Sequence, residues 1–280
     1  MMITSSSTAS RPFGELLREW RQRRRRSQTE LACNAGVSTK YIGFLESGQT
    51  APSRSLALRL TEYLDLSLRE RNQALIAGGF APAFLERGLD DPALLAVWQT
   101  IDAVLAAQPH NPSFAVDRYW GILAANWAGS HLIAGVDPLL LRPPMNLLRL
   151  ILHPAGLAPR IANLAHWRAL AIGRLRRQNE NTADPVLTDM LEEIEDYPTA
   201  AAPEAAQLNE EAVVPLRLET IDGTLSLFYA TTVFYCPVDI SVSELAIECF
   251  FPADANSAEI LRKKFQASAQ CAPQSPGRVD

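Results

Sequence analysis

The chain has 280 residues, 48% apolar and 20% charged, with a net charge of −5, the profile of a globular protein long enough for two domains. It holds no run of 18 apolar residues, and its N-terminus, MMITSSSTASRP, has no apolar core before a cleavage site, so neither a membrane span nor a secretory signal is expected. Four cysteines without CxxC spacing (Cys33, Cys236, Cys249, Cys271) and four dispersed histidines (His110, His131, His153, His166) offer no disulfide framework and no metal site, as in a cytoplasmic protein with reduced thiols.

Charge is uneven along the chain. Residues 1–80 carry 12 Lys and Arg against 7 Asp and Glu, and the other 200 carry 14 against 24. A basic segment on an acidic chain marks the N-terminal part as the one that meets a polyanion; a solvated basic helix is the plain alternative. After a flexible lead, 1–10, residues 11–80 read as an all-helical domain. In FGELLREWRQRRRR, Phe13, Leu16, Leu17 and Trp20 form one stripe, and the arginines after it suit a helix C-terminus. SQTE (Ser27 to Glu30) has capping-box spacing and opens a second helix that stops at Gly36. Ser38 caps a third helix, which ends at Gly48. Pro52 and Ser53 open a fourth, with Leu56, Leu60 and Leu64 inward, and SLRE (Ser67 to Glu70) opens a fifth that ends at Gly78-Gly79. The tight glycine turn between helices two and three makes a helix-turn-helix module. Val37, Ile42 and Leu45 turn inward, which leaves Thr39, Lys40, Gly43 and Phe44 on the other side. A merely solvated face does not ask for a phenylalanine.

The run SQTELACNAGVSTKYIGFLESGQTAPS resembles the XRE, or lambda-repressor-like, helix-turn-helix. Gln28 opens helix two, Ala-Gly-Val makes the turn, Ile42 and Leu45 lie inside helix three, and Glu46 precedes Ser-Gly. The resemblance covers about 70 residues and implies a third helix in the major groove of a double-stranded DNA operator. Thr39, Lys40, Gly43 and Phe44 match base-facing positions. Lys40 can donate to guanine O6 and N7, Phe44 and the Thr39 methyl can pack on a thymine methyl, and Gly43 lets the backbone approach. Gln28, Ser38, Tyr41, Gln49 and Arg54 match phosphate-contacting positions. The plain alternatives are half-core packing for Tyr41 and an interdomain contact for Phe44. Glu46 matches an acid that pairs with a helix-one arginine, here Arg21.

Residues 81–108 read as a linker and connecting helix. Asp91-Pro92 supplies an N-cap and first turn. The stripe Leu94, Leu95, Trp98, Ile101 and Leu105 serves either a dimer seam or packing on the second domain. From 109 to 267 the texture is α+β. PSFAVDRYWGILAAN reads as two short strands joined at Asp117-Arg118, and Asn126 begins a helix. Helices are expected at about 146–152, 159–178 and 185–196, then a Pro/Ala-rich loop at about 198–209. AVVPLRLETIDGTLSLFYATTVFYC reads as a hairpin turning at Asp222-Gly223, and ELAIECFFP as the last strand. A helix from about Ala255 to Phe265 and a flexible tail, 268–280, close the chain. Both faces of LSLFYATTVFY are apolar, as in a sheet covered on both sides.

This order of elements is that of a PAS-like sensor, and FAVDRYWGILAAN resembles the start of one. VDRYWGILAAN, NLLRLILHPAGLAPRIANLAHWR and ELAIECFFPAD, behind an XRE module, resemble the ligand-binding domain of MmyB-like transcription regulators. The expected fold class is multidomain: an all-α lambda-repressor-like helix-turn-helix domain, then an α+β PAS-like domain with an antiparallel sheet. The resemblance implies a one-component regulator, a homodimer that binds operator DNA with one domain and a small-molecule effector with the other, fatty acids and similar acyl chains among the ligands. Candidate ligand-binding residues are Trp120, Asn126, Arg149, His153, Trp167, Phe228 and Thr232, with Arg168 as a further anchor. The planar fork of Arg149 suits a carboxylate. Each has a structural alternative: Asn126 as a helix cap, His153 as a turn residue before Pro154, Trp120 and Trp167 as core. G-x-S-x-G, P-loop and G-x-G-x-x-G motifs are missing, so no enzyme is expected, no metal or cofactor is required, and no feature demands haem or flavin. Two functions stay open. One is a repressor controlled by a small apolar or acyl-chain effector. The other is a DNA-binding regulator whose C-terminal domain binds a protein partner or only dimerises.

Overall fold

The computed structural model describes residues 11–198, 213–236, 238–269 and 277–278. The chain divides into two compact units: Met1–Gly88 with Glu180–Thr182 and Cys236–Ser243, and Leu89–Asn179 with Ala183–Tyr235 and Glu244–Asp280.

The first unit contains helices α1 (Phe13–Arg23), α2 (Gln28–Ala35), α3 (Thr39–Glu46), α4 (Arg54–Tyr63) and α5 (Leu68–Ala77). They start where side chains can satisfy the free backbone donors of a first turn. Ser27 and Ser67 form reciprocal capping boxes with Glu30 and Glu70, while Ser38 and Ser53 accept from the N–H groups of Tyr41 and Leu56. Gly36 ends α2 at φ 64°, a left-handed position that favours glycine. Leu17, Trp20, Leu31, Ile42, Leu45, Leu60 and Leu75 share one core, each contributing on the order of 1.5–3 kcal/mol of burial. At Gly14, α1 crosses α3 so closely that a Cβ would lie 2.2 Å from the Leu45 carbonyl oxygen. After α5, Asn72 ties down the chain: its Oδ1 accepts from the N–H groups of Ala83 and Phe84 at 2.9 and 3.0 Å, and its Nδ2 donates to the Phe84 carbonyl at 2.8 Å. The stretch read as a linker therefore divides, with 81–88 held in the first unit and the helix in the second.

The second unit begins with a turn capped by Asp91 and helix α6 (Leu95–Ala106), then β1 (Ser113–Val116), β2 (Ile122–Ala125), α7 (Trp127–Leu132), α8 (Leu147–Leu152), α9 (Leu164–Thr182) and α10 (Pro185–Asp196). Next come β3 (Leu216–Thr220), β4 (Gly223–Val233), the short α11 (Ile240–Ser243) of the first unit, β5 (Ala246–Pro252), α12 (Ala255–Ala269) and β6 (Gly277–Arg278). The strands form one antiparallel sheet in the order β3-β4-β5-β1-β2-β6. Its inner face, with Phe114, Leu225, Leu227, Tyr229 and Phe250, packs with Leu148, Ile151, Trp167, Leu175 and Met190 of the helical insert. On the outer face, Ile101 and Leu105 of α6 cover Ala115, Ala124, Ile247 and Cys249. Of the two readings of the α6 stripe, packing on the second domain is the one observed, although Leu95 stays 58% exposed.

Several elements depart from the sequence reading. The β3–β4 turn is Ile221–Asp222, because Thr220 pairs with Gly223 and bonds both Gly223 and Asp222. Pro159 lies in a 3-10 turn, so α9 starts at Leu164. Among the described residues the outer side of β4 is only partly covered: Phe228 is 38% exposed, because α6 lies on β1, β2 and β5. Gly277–Arg278, read as part of a flexible tail, pairs with β2. Beyond Pro198, the Pro/Ala-rich loop lies outside the described residues. Among the described residues, no helix is long and apolar enough to cross a membrane.

Candidate functional site

The two sides of α3 are built differently. Beneath it, Ile42 and Leu45 are fully buried, and so is the Glu46 carboxylate. Arg21 Nε donates to Glu46 Oε1 at 2.5 Å, Arg21 Nη2 donates to Oε2 at 2.9 Å, and Gln28 Nε2 donates to the same Oε2 at 2.9 Å. The expected Arg21–Glu46 pair is thus present as a bidentate fork. Burial pushes the Glu46 carboxyl up, but the bonds from Arg21 and Gln28 outweigh it and hold the group below its ordinary value. Arg18, which the sequence reading missed, stands beside the same carboxylate at 3.5 Å. Its position one turn before Arg21 on α1 was the available signal.

Above, α3 presents Thr39 and Lys40, both exposed, with Phe44 at 36% exposure. The Lys40 ammonium lies 5.4 Å from the centroid of the Phe44 ring. Between them, a Cβ at Gly43 would meet only Gln28 Oε1, at 4.0 Å. Glycine inside a helix costs roughly 0.5–1 kcal/mol against alanine, and the described packing does not require it here. Around this face, Ser38 Oγ is occupied as the cap of α3, Tyr41 is half-buried against the core, and Gln49 and Arg54 are exposed. Gln28 shares its amide with Glu46, so its side chain is only partly free for a phosphate.

The candidate ligand residues do not converge. Asn126 is consumed by the backbone: Oδ1 accepts from Gly129 and Ser113 at 2.8 and 3.1 Å, and Nδ2 donates to the carbonyls of Gln108 and Asn111 at 2.7 and 2.8 Å. Arg149, favoured for a ligand carboxylate, is already forked onto Glu193 at 2.6–3.0 Å. His153 Nδ1 accepts from the Ala155 N–H, and its ring meets the edge of Tyr197. Arg168 donates to the carbonyls of Ile194 and Glu195 at the end of α10. Trp120 is buried and donates to Gln178. Trp167 is buried against Tyr229 and Phe250, yet its Nε1 has no hydrogen-bond partner among the described residues. Phe228 and Thr232 are on the opposite face of β4 from Tyr229, as the two-residue strand period demands, so they cannot line one pocket with Trp167.

Two features of the second unit were not anticipated. A small cleft of about 30 Å³, partly open to solvent, lies between α7, the β3–β4 hairpin and α12. Trp127, His131, Leu132, Leu261 and Lys264 are among its walls, and none of the candidate ligand residues lines it. Inside the sheet, Glu248 accepts from Arg174 Nη2 at 3.0 Å and from Thr231 Oγ1 at 2.7 Å, and the Arg174 guanidinium lies 4.4 Å from the Trp120 ring centroid. Burial raises the Glu248 carboxyl above its ordinary value, and the bonds from Arg174 and Thr231 offset this only in part. A glutamate between Ile247 and Cys249 reads in sequence as a solvent-facing strand position, which is why it passed unnoticed. Among the described residues, no group of three His, Cys, Asp or Glu could hold a metal.

The comparison with protein families bears on both units. A helix-turn-helix domain model matches residues 12–74, and the model described as MmyB-like transcription regulator ligand binding domain matches residues 97–263. The chain belongs to the MmyB-like transcription regulators. In this regulator the second match starts inside α6, in keeping with that helix being part of the second unit. The regulator matches no curated protein. Among solved structures it is similar to an RNA-binding light-oxygen-voltage receptor, at 12% identity and a TM-score of 0.30 over 92% of the regulator and 63% of that chain. The regulator thus spans less than two thirds of that receptor chain, and so loose a likeness extends nothing to it. With its two matched domains, the regulator is a DNA-binding transcription regulator with a ligand-binding domain.

Proposed function

We propose that the regulator is a homodimeric, cytoplasmic repressor that reads its operator with α3 and changes its grip when the second unit takes up a small apolar or acyl-chain effector. The observation that carries the DNA reading is the asymmetry of α3: a locked underside and an outer face of Thr39, Lys40, Gly43 and Phe44. These four residues face the bases, while Gln28, Ser38, Tyr41, Gln49 and Arg54 hold phosphates and fix register. Two copies read half-sites about 34–36 Å apart.

For the effector, the supporting observation is Trp167. A buried donor without a partner is uncommon, since leaving one unmade costs about 1–3 kcal/mol. Trp167 Nε1 is such a donor within an aromatic layer, and a polar end of the effector accepts from it while the chain of the effector parts that layer. The effector must favour one dimer geometry over another to change DNA affinity.

Denaturing extraction and mass spectrometry of the purified full chain, followed by operator titrations with and without the extracted compound, test this. A stoichiometric acyl compound that shifts operator affinity, and binds less tightly to Trp167→Phe, is the expected result. An empty protein that ignores added acyl chains would favour a protein partner or simple dimerisation through the second unit. Phe228 on the outer face of β4 and Tyr235 beyond the strand, exposed by 38 and 94%, are the apolar exposure that supports that second reading.

A further inference from the structure

Lys40 and Phe44 are one helical turn apart, about 6 Å along the axis of α3. In the folded chain they are not two separate readers. The ammonium sits 5.4 Å from the ring centroid, within the range where the negative face of the ring attracts a cation. Phe44 itself remains 36% exposed. Gly43 leaves the helix surface between the two side chains bare.

This spacing limits what the pair can touch. Bases along one strand are stacked about 3.4 Å apart. An ammonium that donates to guanine O6 and N7 keeps the ring centroid 5.4 Å away, more than one stacking distance, so the ring meets the adjoining base and not the guanine itself. The groups that a phenyl ring can pack on in the major groove are C5 methyls. We propose that Lys40 and Phe44 read a guanine and an adjoining 5-methylated pyrimidine as a single unit, so that the operator contains a thymine next to a guanine, and that 5-methylcytosine substitutes for that thymine. The regulator would then respond to cytosine C5 methylation at sites where an unmodified cytosine is bound more weakly. This inference rests on the reading of α3 as the base-contacting helix.

The two side chains make separable demands. Thymine and uracil share O4 and differ only by the methyl, and 5-methylcytosine and cytosine share the N4 amine and differ only by the methyl. Phe44 senses the methyl within each pair. Lys40 reads O6 and N7 of the guanine and is indifferent to that methyl. Burying one methyl-sized group corresponds to about fourfold in affinity.

The test begins with selection of operators from random duplexes by the full chain. Synthetic operators then carry thymine, uracil, 5-methylcytosine or cytosine at the base beside the guanine. Wild type is expected to bind the methylated member of each pair about fourfold more tightly per half-site. Phe44→Ala is expected to bind both members alike, Phe44→Leu to keep part of the difference, and Lys40→Ala to keep the methyl effect while losing the guanine preference. Circular dichroism confirms that each variant is folded. Failure to enrich any sequence overturns the reading of α3 itself. An enriched operator that lacks a guanine–thymine step, or a methyl effect that survives unchanged in Phe44→Ala, overturns the paired reading and leaves DNA binding intact.

Discussion

On the DNA reading proposed above, folding and function pull in opposite directions at Gly43. Alanine there meets only Gln28 Oε1 at 4.0 Å, so Gly43→Ala is expected to stabilise the first unit by about 0.5–1 kcal/mol and to weaken operator binding. Paired urea titrations and DNA titrations check it; loss of stability, or unchanged affinity, would show that the glycine serves the fold. Arg21 behaves in the opposite way. Its guanidinium is mostly buried against Glu46, and Arg21→Ala strands that carboxylate at a cost of roughly 3–5 kcal/mol, measurable as a lowered denaturation midpoint. The Arg21–Glu46 pair was foreseeable because the helix-turn-helix pattern fixes both positions. The partner of Arg149 was not, nor were the bonds Asn126 makes beyond the helix cap read for it. Nothing local in NLLRLIL indicates that Glu193, 44 residues on, will take the arginine, and only the tertiary fold brings Gln108, Asn111 and Ser113 around Asn126.

Among the elements, those with their own start signals fell where the sequence placed them. Ser27, Ser38, Ser53, Ser67 and Asp91 each cap the helix or turn they precede, because a cap is decided within four residues. Features without such a signal departed: α9 starts five residues later, after the turn at Pro159, and the apolar outer side of β4 is partly exposed, not covered. The four-residue α11, started by Asp239, is too short to show any periodicity. Asn126 lies between these cases. It caps α7 locally and also fastens β1 to the loop before it, so Asn126→Ala should cost well over the roughly 1 kcal/mol of an ordinary N-cap. Asn126→Asp should recover only the half carried by Oδ1. Equal losses for Asn126→Ala and an ordinary cap such as Ser53→Ala, compared by chemical denaturation, would contradict this.

The two units of the whole molecule differ in how they answer to acid. Glu46 has its carboxyl held below the ordinary value, so its contribution is present at neutral pH and is lost as pH falls through the folded value. Glu248 is shifted upward by burial, so its contribution is present in acid and is lost as pH rises through the folded value. Acidification below about pH 4.5 should therefore loosen the surroundings of Glu46 ahead of those of Glu248. Residue-resolved hydrogen exchange reads this directly: protection at Leu17 and Ile42 should fall before protection at Phe114 and Phe250. Glu46→Gln, less stable at neutral pH, should show a flatter acid limb in the first unit. Simultaneous loss in both units would refute the assignment. The division itself was visible as a basic first 80 residues followed by an acidic remainder, since charge sums need no tertiary information.

The separation of α3 into a fastened underside and a bare upper face also bears on descent. Arg21, Gln28 and Glu46 hold the helix without help from Thr39, Lys40, Gly43 or Phe44. On the DNA reading proposed above, substitutions on the upper face therefore alter which sequence is read while the scaffold stays whole. A lineage carrying this module can retarget its operator one residue at a time, with no unfolded intermediate along the way.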